Sequence, residues 1–461
     1  MYLRFLELLR RVRASYWFIP SLMAVAAFTL SIILVSIDIR LGRGWIDDIP
    51  WLYANEPEGA RAMLSTIAGS VISVAGVTFS ITIAALSLAS SQYGPRLIAG
   101  FMRDRGNQFV LGTYTSTFLY CLLILRTIRG SESASFVPHL AIIVGLVLAI
   151  LSVGVLIYFI HHVSQTIRVS YVIHQVSQTL NHRIDSLQSS AAQPAYAVDG
   201  GKWRDLPEDF SDRAVTIRSR RAGYVQVVND ARLVALAAKH DLLIRVQSRP
   251  GDFVVDDGEL LRVLGRAADD AHVAKQLVGT FLLGMRRTDS QDVISLVQQL
   301  VEVAARAISP GINDPFTAIT CIDWLTAAFS RLAAEDVPSA YRYDDGGTLR
   351  LVFQPATFEE FMDAAFDPLR EYGRGMVEIV VRLLQSIESV GQRVTIPQNR
   401  DTLSRHAHAI YTDALHHLTH ESDLTRVETQ FRITMATVWG NTDDDSASLQ
   451  RVPNLPQDFA G

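Results

Sequence analysis

One carboxylate and three imidazoles lie close together in the string IYTDALHHLTHE at 410–421: Asp413, His416, His417 and His420. On a helix, steps of three and four residues bring such groups to one face, where they could bind a divalent metal. The HExxH order of zinc hydrolases is absent, however, and exposed histidines are commonly solvated or pH-responsive. The pattern therefore favours a solvated helix face over a metal site, and we predict no cofactor.

A second polar set flanks a predicted helical hairpin, in the strings RRTDSQD and SPGINDP: Arg287, Asp289, Asp292, Asn313 and Asp314. Helix termination and capping would explain the residues of the second string. Pro310 and Gly311 would end the first helix, and Asp314 would cap the second helix by accepting its free amide hydrogens. The alternative hypothesis is that the five side chains meet at the helix junction and bind an ion or a small ligand.

Small and hydroxyl residues recur in the uncharged segment 63–90 at steps of three and four: Thr66, Gly69, Ser70, Ser73, Gly76, Ser80, Ala84 and Ser87. A helix would gather them into one face, which we call the small-residue stripe. Such a stripe either packs against another helix or lines a water-filled path in an oligomer, where uncharged hydroxyls lower the barrier to ions or solutes. Arg96 would favour anions at the cytoplasmic mouth of that path, or serve only as a positive-inside anchor.

The sequence lacks the enzyme motifs that we sought: there is no Walker GxxxxGK[ST], no GxGxxG, no GxSxG and no cysteine pair with metal or redox spacing. The formal net charge of −5, without a long basic run, leaves nucleic-acid binding unsupported. The histidines of the 410–421 string are the only support for a third hypothesis, a metal-dependent membrane enzyme. Enzyme activity is not the favoured prediction.

Four segments are long and apolar enough to cross a lipid bilayer, at about 17–37, 63–90, 109–128 and 136–160. Hydrophobic residues make up 49% of the 461-residue chain and charged residues only 19%. No Asp, Glu, Lys or Arg lies deep within these segments, which argues against an ion-coupled pump or secondary transporter. We therefore predict an α-helical integral membrane protein with four transmembrane helices.

The distribution of basic residues predicts the orientation of these segments. Four arginines precede the first segment, and Arg96, Arg103 and Arg105 lie between the second and the third. Acidic residues dilute the arginines on the opposite side. A cytoplasmic N-terminus follows, and four crossings place the C-terminus in the cytoplasm as well.

The residues after 160 are predicted to form a cytoplasmic α+β region: a helical stalk at 161–190, a linker at 191–212, a small β-sandwich-like module at 213–264, a helical domain at 265–440 and a disordered tail at 441–461. The turn RPGDFVVDDGELLRV in the β module is similar to that of biotinyl and lipoyl carrier domains. It differs because Gly258 comes one residue late and no lysine lies at a hairpin tip. No prosthetic group is predicted.

Three strings carry a resemblance to a known family: AISPGINDPFTA at 307–318, GVTFSITIAALSLASSQYGPR at 76–96, and GYVQ with RPGDFV in the β module. The chain resembles the uncharacterised bacterial family of predicted membrane proteins called domain of unknown function twenty-two fifty-four. The resemblance implies the architecture described above and the inner (plasma) membrane of a bacterium. It implies no activity.

The favoured functional prediction is a homo-oligomeric channel or pore, lined by the second transmembrane helix and gated or assembled by the cytoplasmic region. Oligomerisation is part of this prediction because four helices from one protomer rarely enclose a wide aqueous path. The alternative is a membrane-anchored ligand-binding or scaffold protein that does not conduct.

Overall fold

The computed structural model describes most of the chain, namely residues 16–41, 57–93, 104–129, 136–166, 168–191, 206–207, 209–334 and 339–439. Arg96, most of the predicted linker and the predicted tail at 441–461 lie outside these ranges. Internal contacts divide the chain into two compact units, residues 1–172 and residues 173–461, which we describe separately.

In the first unit, four described helices are long and apolar enough to cross a membrane: α1 (Phe18–Leu41), α2 (Pro57–Tyr93), α3 (Arg105–Thr127) and α4 (His139–Thr166). They confirm the four predicted segments. The second helix is longer than its predicted apolar segment because Pro57 and Glu58 suit a first helical turn. The fourth begins later than predicted, after Arg129 and Phe136 pair through their backbones.

Helix α3 is the most deeply packed of the four and carries the tyrosines that join it to α4. Tyr120 is fully buried and donates its hydroxyl proton to the carbonyl of Ala141 at 2.7 Å. Tyr114, also buried, donates to the carbonyl of Ser152 at 3.2 Å. In an apolar medium such bonds have no competition from water, so they fix α3 against α4.

Helix α5 (Val169–Ala191) begins four residues before the second unit and was predicted to continue the fourth membrane helix as a stalk. The structure has two helices here, since α4 ends at Thr166. Helix α5 buries Ile173, Leu180 and Ile184.

Two small sheets follow α6 (Phe210–Arg213). Their strands are β1 (Val215–Arg218), β2 (Gly223–Val228), β3 (Leu243–Val246), β4 (Phe253–Val254), β5 (Glu259–Leu264), β6 (Phe281–Gly284), β7 (Tyr341–Tyr343) and β8 (Leu349–Val352). One sheet has five strands in the order β1-β5-β3-β8-β7, and the other has three in the order β4-β2-β6. Both sheets share one apolar core with α7 (Asp230–His240) and α8 (Ala271–Val278).

The predicted end of the β module at 264 is wrong, because three strands come from beyond it. Strand β8 pairs in parallel with β3, with Ile244 opposite Leu351. Pairing between residues so far apart leaves no local sequence pattern, so the 265–440 region reads as helical throughout.

The remaining elements are six helices: α9 (Val293–Ala307), α10 (Pro315–Ala333), α11 (Phe358–Gly373), α12 (Val377–Gly391), α13 (Pro397–His417) and α14 (Glu421–Trp439). They pack on one another through largely apolar faces. Asp185 of α5 pairs with Arg331 of α10, and the ring of His174 meets the edge of Trp324 with centroids 5.1 Å apart, so α5 joins this helical layer.

Candidate functional site on the second membrane helix

All eight residues of the small-residue stripe are exposed on the surface of the first unit. The packed face of α2 is made by other residues: Ala60, Leu64, Ala68, Val71, Ala75, Thr78, Thr82 and Ala85. At about 100° per residue, the two faces lie roughly 170° apart around the helix. The stripe therefore points away from the three other helices of its own protomer.

The two stripe glycines show how open this face is. A Cβ atom added at Gly69 or Gly76 would meet no atom within 4 Å. Among the described residues, the stripe is therefore not packed against another helix of the same protomer. What covers it in the membrane is lipid, water or another molecule.

Three of the stripe hydroxyls, those of Thr66, Ser73 and Ser80, donate hydrogen bonds to backbone carbonyls of their own helix. Ser73 donates to the carbonyl of Gly69 at 2.8 Å and Ser80 donates to that of Gly76 at 2.9 Å. Each oxygen keeps lone pairs that can still accept a hydrogen bond. The face is thus uncharged, weakly polar and lined with acceptors.

One apolar side chain interrupts the stripe. Val77 is 59% exposed, and the helical repeat places it roughly 40° from Ser73. The sequence interpretation put such branched residues on other faces. Val77 instead places an apolar side chain near the middle of the stripe, which we call the apolar step.

A second set of hydroxyls, on the packed side, was not singled out from the sequence. Thr78 and Thr82 are buried and donate to the carbonyls of Ala75 and Thr78. On α3 and α4, Thr117 and Ser152 are buried 3.4 Å apart. The signal was present in GVTFSITIA, where hydroxyls occur in two different helical phases.

The sequence also gave no sign of a side-chain contact between the start of α3 and α4. Asp104 caps α3 by accepting from the Gly106 amide at 2.7 Å, and its other oxygen lies 2.6 Å from Nε2 of His162. Tyr158 stacks on His162 with ring centroids 5.3 Å apart. A Cβ at residue 106 would lie 2.6 Å from Nε2 of His162, so glycine allows this close approach.

In the second unit, RRTDSQD lies against the RPGD turn. Arg287 donates to Asp292 at 2.8 Å and to Gln298 at 2.8 Å. Asp292 is buried and caps α9 by accepting from Ser295 at 3.0 Å. Burial raises the pKa of Asp292, against the opposing effect of Arg287. Nearby, Arg249 makes two hydrogen bonds to Glu360, at 2.7 and 3.0 Å.

The five residues of the alternative polar pocket are not brought together by the structure. Asp292 precedes α9 and SPGINDP follows it, so the 15 residues of the helix separate the two strings, a length of about 22 Å. Asp314 accepts from the amide and the hydroxyl of Thr317, at 3.2 and 2.6 Å. Asn313 is exposed and has a φ of 51°. Asp314 therefore has the capping role. Asp289, in the first string, is half-buried.

The histidine cluster is not brought together either. Helix α13 ends at His417, so His420 lies beyond the helix that was expected to align it. The carboxylate of Asp413 pairs with Arg370, while His416, His417 and His420 are exposed. Among the described residues, no group of three or more potential ligands is arranged to hold a metal ion.

A family model described as "Predicted membrane protein (DUF2254)" matches residues 13–389. The chain belongs to this family. In the DUF2254 protein the match covers all four membrane helices and both sheets, and it ends within α12. No solved structure matches the chain.

Uncharacterized proteins of Mycobacterium tuberculosis and Mycobacterium bovis are 27% identical to the chain over 421 residues. The similarity covers 90% of the chain and 79% of each relative. It therefore extends through both units.

Proposed function

We propose that this DUF2254 protein is a homo-oligomer of the bacterial inner membrane, in which stripes from several copies line a passive path for small ions or solutes. The observation that supports it is the stripe itself, exposed along its length and opposite the packed face of α2. Close contact between small residues is what brings membrane helices together. A partial gap between such faces would be uncharged and lined by hydroxyl oxygens.

The proposed path has an apolar step at Val77. Channels can close where an apolar constriction sheds its water. Because Val77 is the branched residue in the middle of a small face, it is the side chain we assign to such a constriction. Arg96 at the cytoplasmic end and the second unit as gate or assembly domain belong to the same proposal, as do cytoplasmic termini.

A non-conducting anchor is the second candidate, and one observation favours it. The hydroxyls of Thr66, Ser73 and Ser80 donate to their own helix backbone, as hydroxyls do on dry helix-packing faces. In this case the copies would associate through the stripes without water between them, and the membrane unit would only hold the second unit at the membrane.

Labelling with a water-soluble thiol reagent in native membranes separates the two candidates. Single cysteines would replace Ser73, Gly76 and Ser80 in a chain lacking Cys121 and Cys321. Two control positions are Ile72, exposed on a neighbouring face, and Ala75, which is buried. The path predicts labelling at the three stripe positions and protection at both controls.

Protection at all positions together with oxidative cross-linking between stripe cysteines would support the dry assembly instead. If the stripe cysteines were protected and did not cross-link, neither form of association would stand.

A further inference from the structure

The outer face of the five-stranded sheet carries two arginines directly opposite each other. Strand β3 pairs with β5 so that Arg245 faces Arg262, and β5 pairs with β1 so that Arg262 faces Thr216. The alternate residues Ile244 and Val263 are fully buried in the core. Thr216, Arg262 and Arg245 therefore form a row on the other face of the sheet.

This arrangement is unfavourable by itself. Side chains directly opposite on neighbouring strands have Cβ atoms about 5 Å apart, and like charges in such pairs are destabilising. Both side chains are half-buried, which reduces the screening of their repulsion by water.

Carboxylates compensate this pair only in part. Glu259 lies 3.4 Å from Arg262 but is shared with Arg218, at 3.8 Å. The Nε atom of Arg262 is buried without a hydrogen-bond partner. Among the described residues, Arg245 makes no hydrogen bond or ion pair.

Other half-buried arginines of the second unit are compensated differently. Arg249 binds both oxygens of Glu360, and Arg350 pairs with Asp241 and Asp344. In both cases an acidic side chain lies against the guanidinium group. Arg245 differs from these two because its cross-strand neighbours are Arg262 on β5 and Val352 on β8, neither of which is acidic.

We propose that Arg245 and Arg262 bind a phosphate-bearing anion on this face of the sheet, with Thr216 as an additional hydroxyl donor. Guanidinium groups present paired N–H donors that match phosphate oxygens, and a phosphate has enough oxygens to bridge two of them. An anion between the arginines also converts their repulsion into attraction. The phosphate belongs either to a soluble molecule or to a lipid headgroup.

Binding of pyrophosphate to the purified full chain in neutral-lipid nanodiscs, measured by calorimetry, tests the soluble case. We expect saturable binding that Arg245→Gln or Arg262→Gln weakens by at least about tenfold, the worth of one charge-assisted hydrogen bond. Arg266→Gln is the matched control, since Arg266 is exposed just beyond β5. It should bind as the wild type does.

Nanodiscs containing an anionic phospholipid test the lipid case. If the headgroup is the ligand, these nanodiscs raise the melting temperature of the wild type and of Arg266→Gln, but not of Arg245→Gln. The proposal is overturned if neither ligand acts, or if all three variants respond alike. A lower melting temperature of both Arg245→Gln and Arg262→Gln in ligand-free neutral nanodiscs would also overturn it, because the arginines would then stabilise the sheet without an anion.

Discussion

Gly251 lies in the RPGD turn and has no room for a side chain. Its φ is 99°, and a Cβ there would lie 2.5 Å from a carboxylate oxygen of Asp292 and 3.0 Å from Arg287. Gly251→Ala should therefore destabilise the second unit by about 1–3 kcal/mol, through backbone strain and displacement of the Arg287–Asp292 pair. Chemical unfolding of the purified chain measures this change.

Gly311→Ala is the matched control, because a Cβ at that position meets nothing within 4 Å and its φ is not positive. Equal stability of the two variants would show that the turn relaxes without cost. The sequence predicted the turn from Pro and Gly. It could not predict the contact with Asp292, which joins residues 41 positions apart.

His406 on α13 is a buried histidine placed between charges of both signs. Its side chain is 1% exposed, with Asp363 at 3.0 Å and Asp367 at 3.6 Å. Burial lowers the pKa of His406, Arg405 lowers it further, and the two aspartates oppose this shift. The unfolded chain therefore binds this proton at a higher pH than the folded chain does.

Stability should consequently be complete above about pH 6.5 and decrease as the pH falls from there toward the folded pKa, with a slope of at most about 1.4 kcal/mol per pH unit from this group. His406→Gln should remove that part of the slope in unfolding experiments at several pH values. His416→Gln, at an exposed position, should leave it unchanged. A slope that is the same in both variants would contradict the assignment to His406.

Among the elements, α4 depends on a cap supplied by a different helix. Asp38, near the end of α1, accepts hydrogen bonds from the amides of Leu140 and Ala141 at 3.1 and 3.0 Å. Asp38→Ala should cost about 1–2 kcal/mol, as loss of a helix cap does elsewhere. Thermal melting in detergent would show this, with Ser36→Ala as control because Ser36 bonds only within α1. Equal melting temperatures would contradict the capping role.

The elements also show where sequence reasoning succeeded. The capping of α10 by Asp314 was predictable from SPGINDP, because a cap involves neighbours in the chain. The 3.6-residue repeat likewise predicted that the stripe residues share one face of α2. Which way that face points could not be predicted, since Thr78 and Thr82 give the helix a second hydroxyl face that the structure packs inward.

The strand pairing of the two sheets could not be predicted from such local patterns. Strand β8 and the ion pair between Arg249 and Glu360 both join residues more than 100 positions apart. Their partners are chosen by tertiary packing, which a local pattern does not record. Spacing along the chain likewise gave no information about the breaks before His420 and Asn313, so it could not decide whether the histidines, or the five polar residues of RRTDSQD and SPGINDP, lie together.

For the whole molecule, the four-helix unit buries one face of α2 and, within the described part of the chain, leaves the opposite, weakly polar face exposed. A stripe of acceptors without fixed charge has a clear use only if several copies meet. If the stripes line a path, conduction depends on association of the copies through α2. We therefore expect side-chain size on the stripe to control the rate of permeation.

The most direct test is the release of entrapped potassium and chloride from vesicles reconstituted with the purified protein, followed with ion-selective electrodes. Wild-type vesicles should release at least one of the two ions faster than empty vesicles. Ser80→Leu should slow that release by at least about tenfold by filling the path, and Val77→Ser should accelerate it by removing the apolar step. Ile72→Leu, on a neighbouring face, should change nothing. Release no faster than from empty vesicles, or equal release by Ser80→Leu and wild type, would contradict the account.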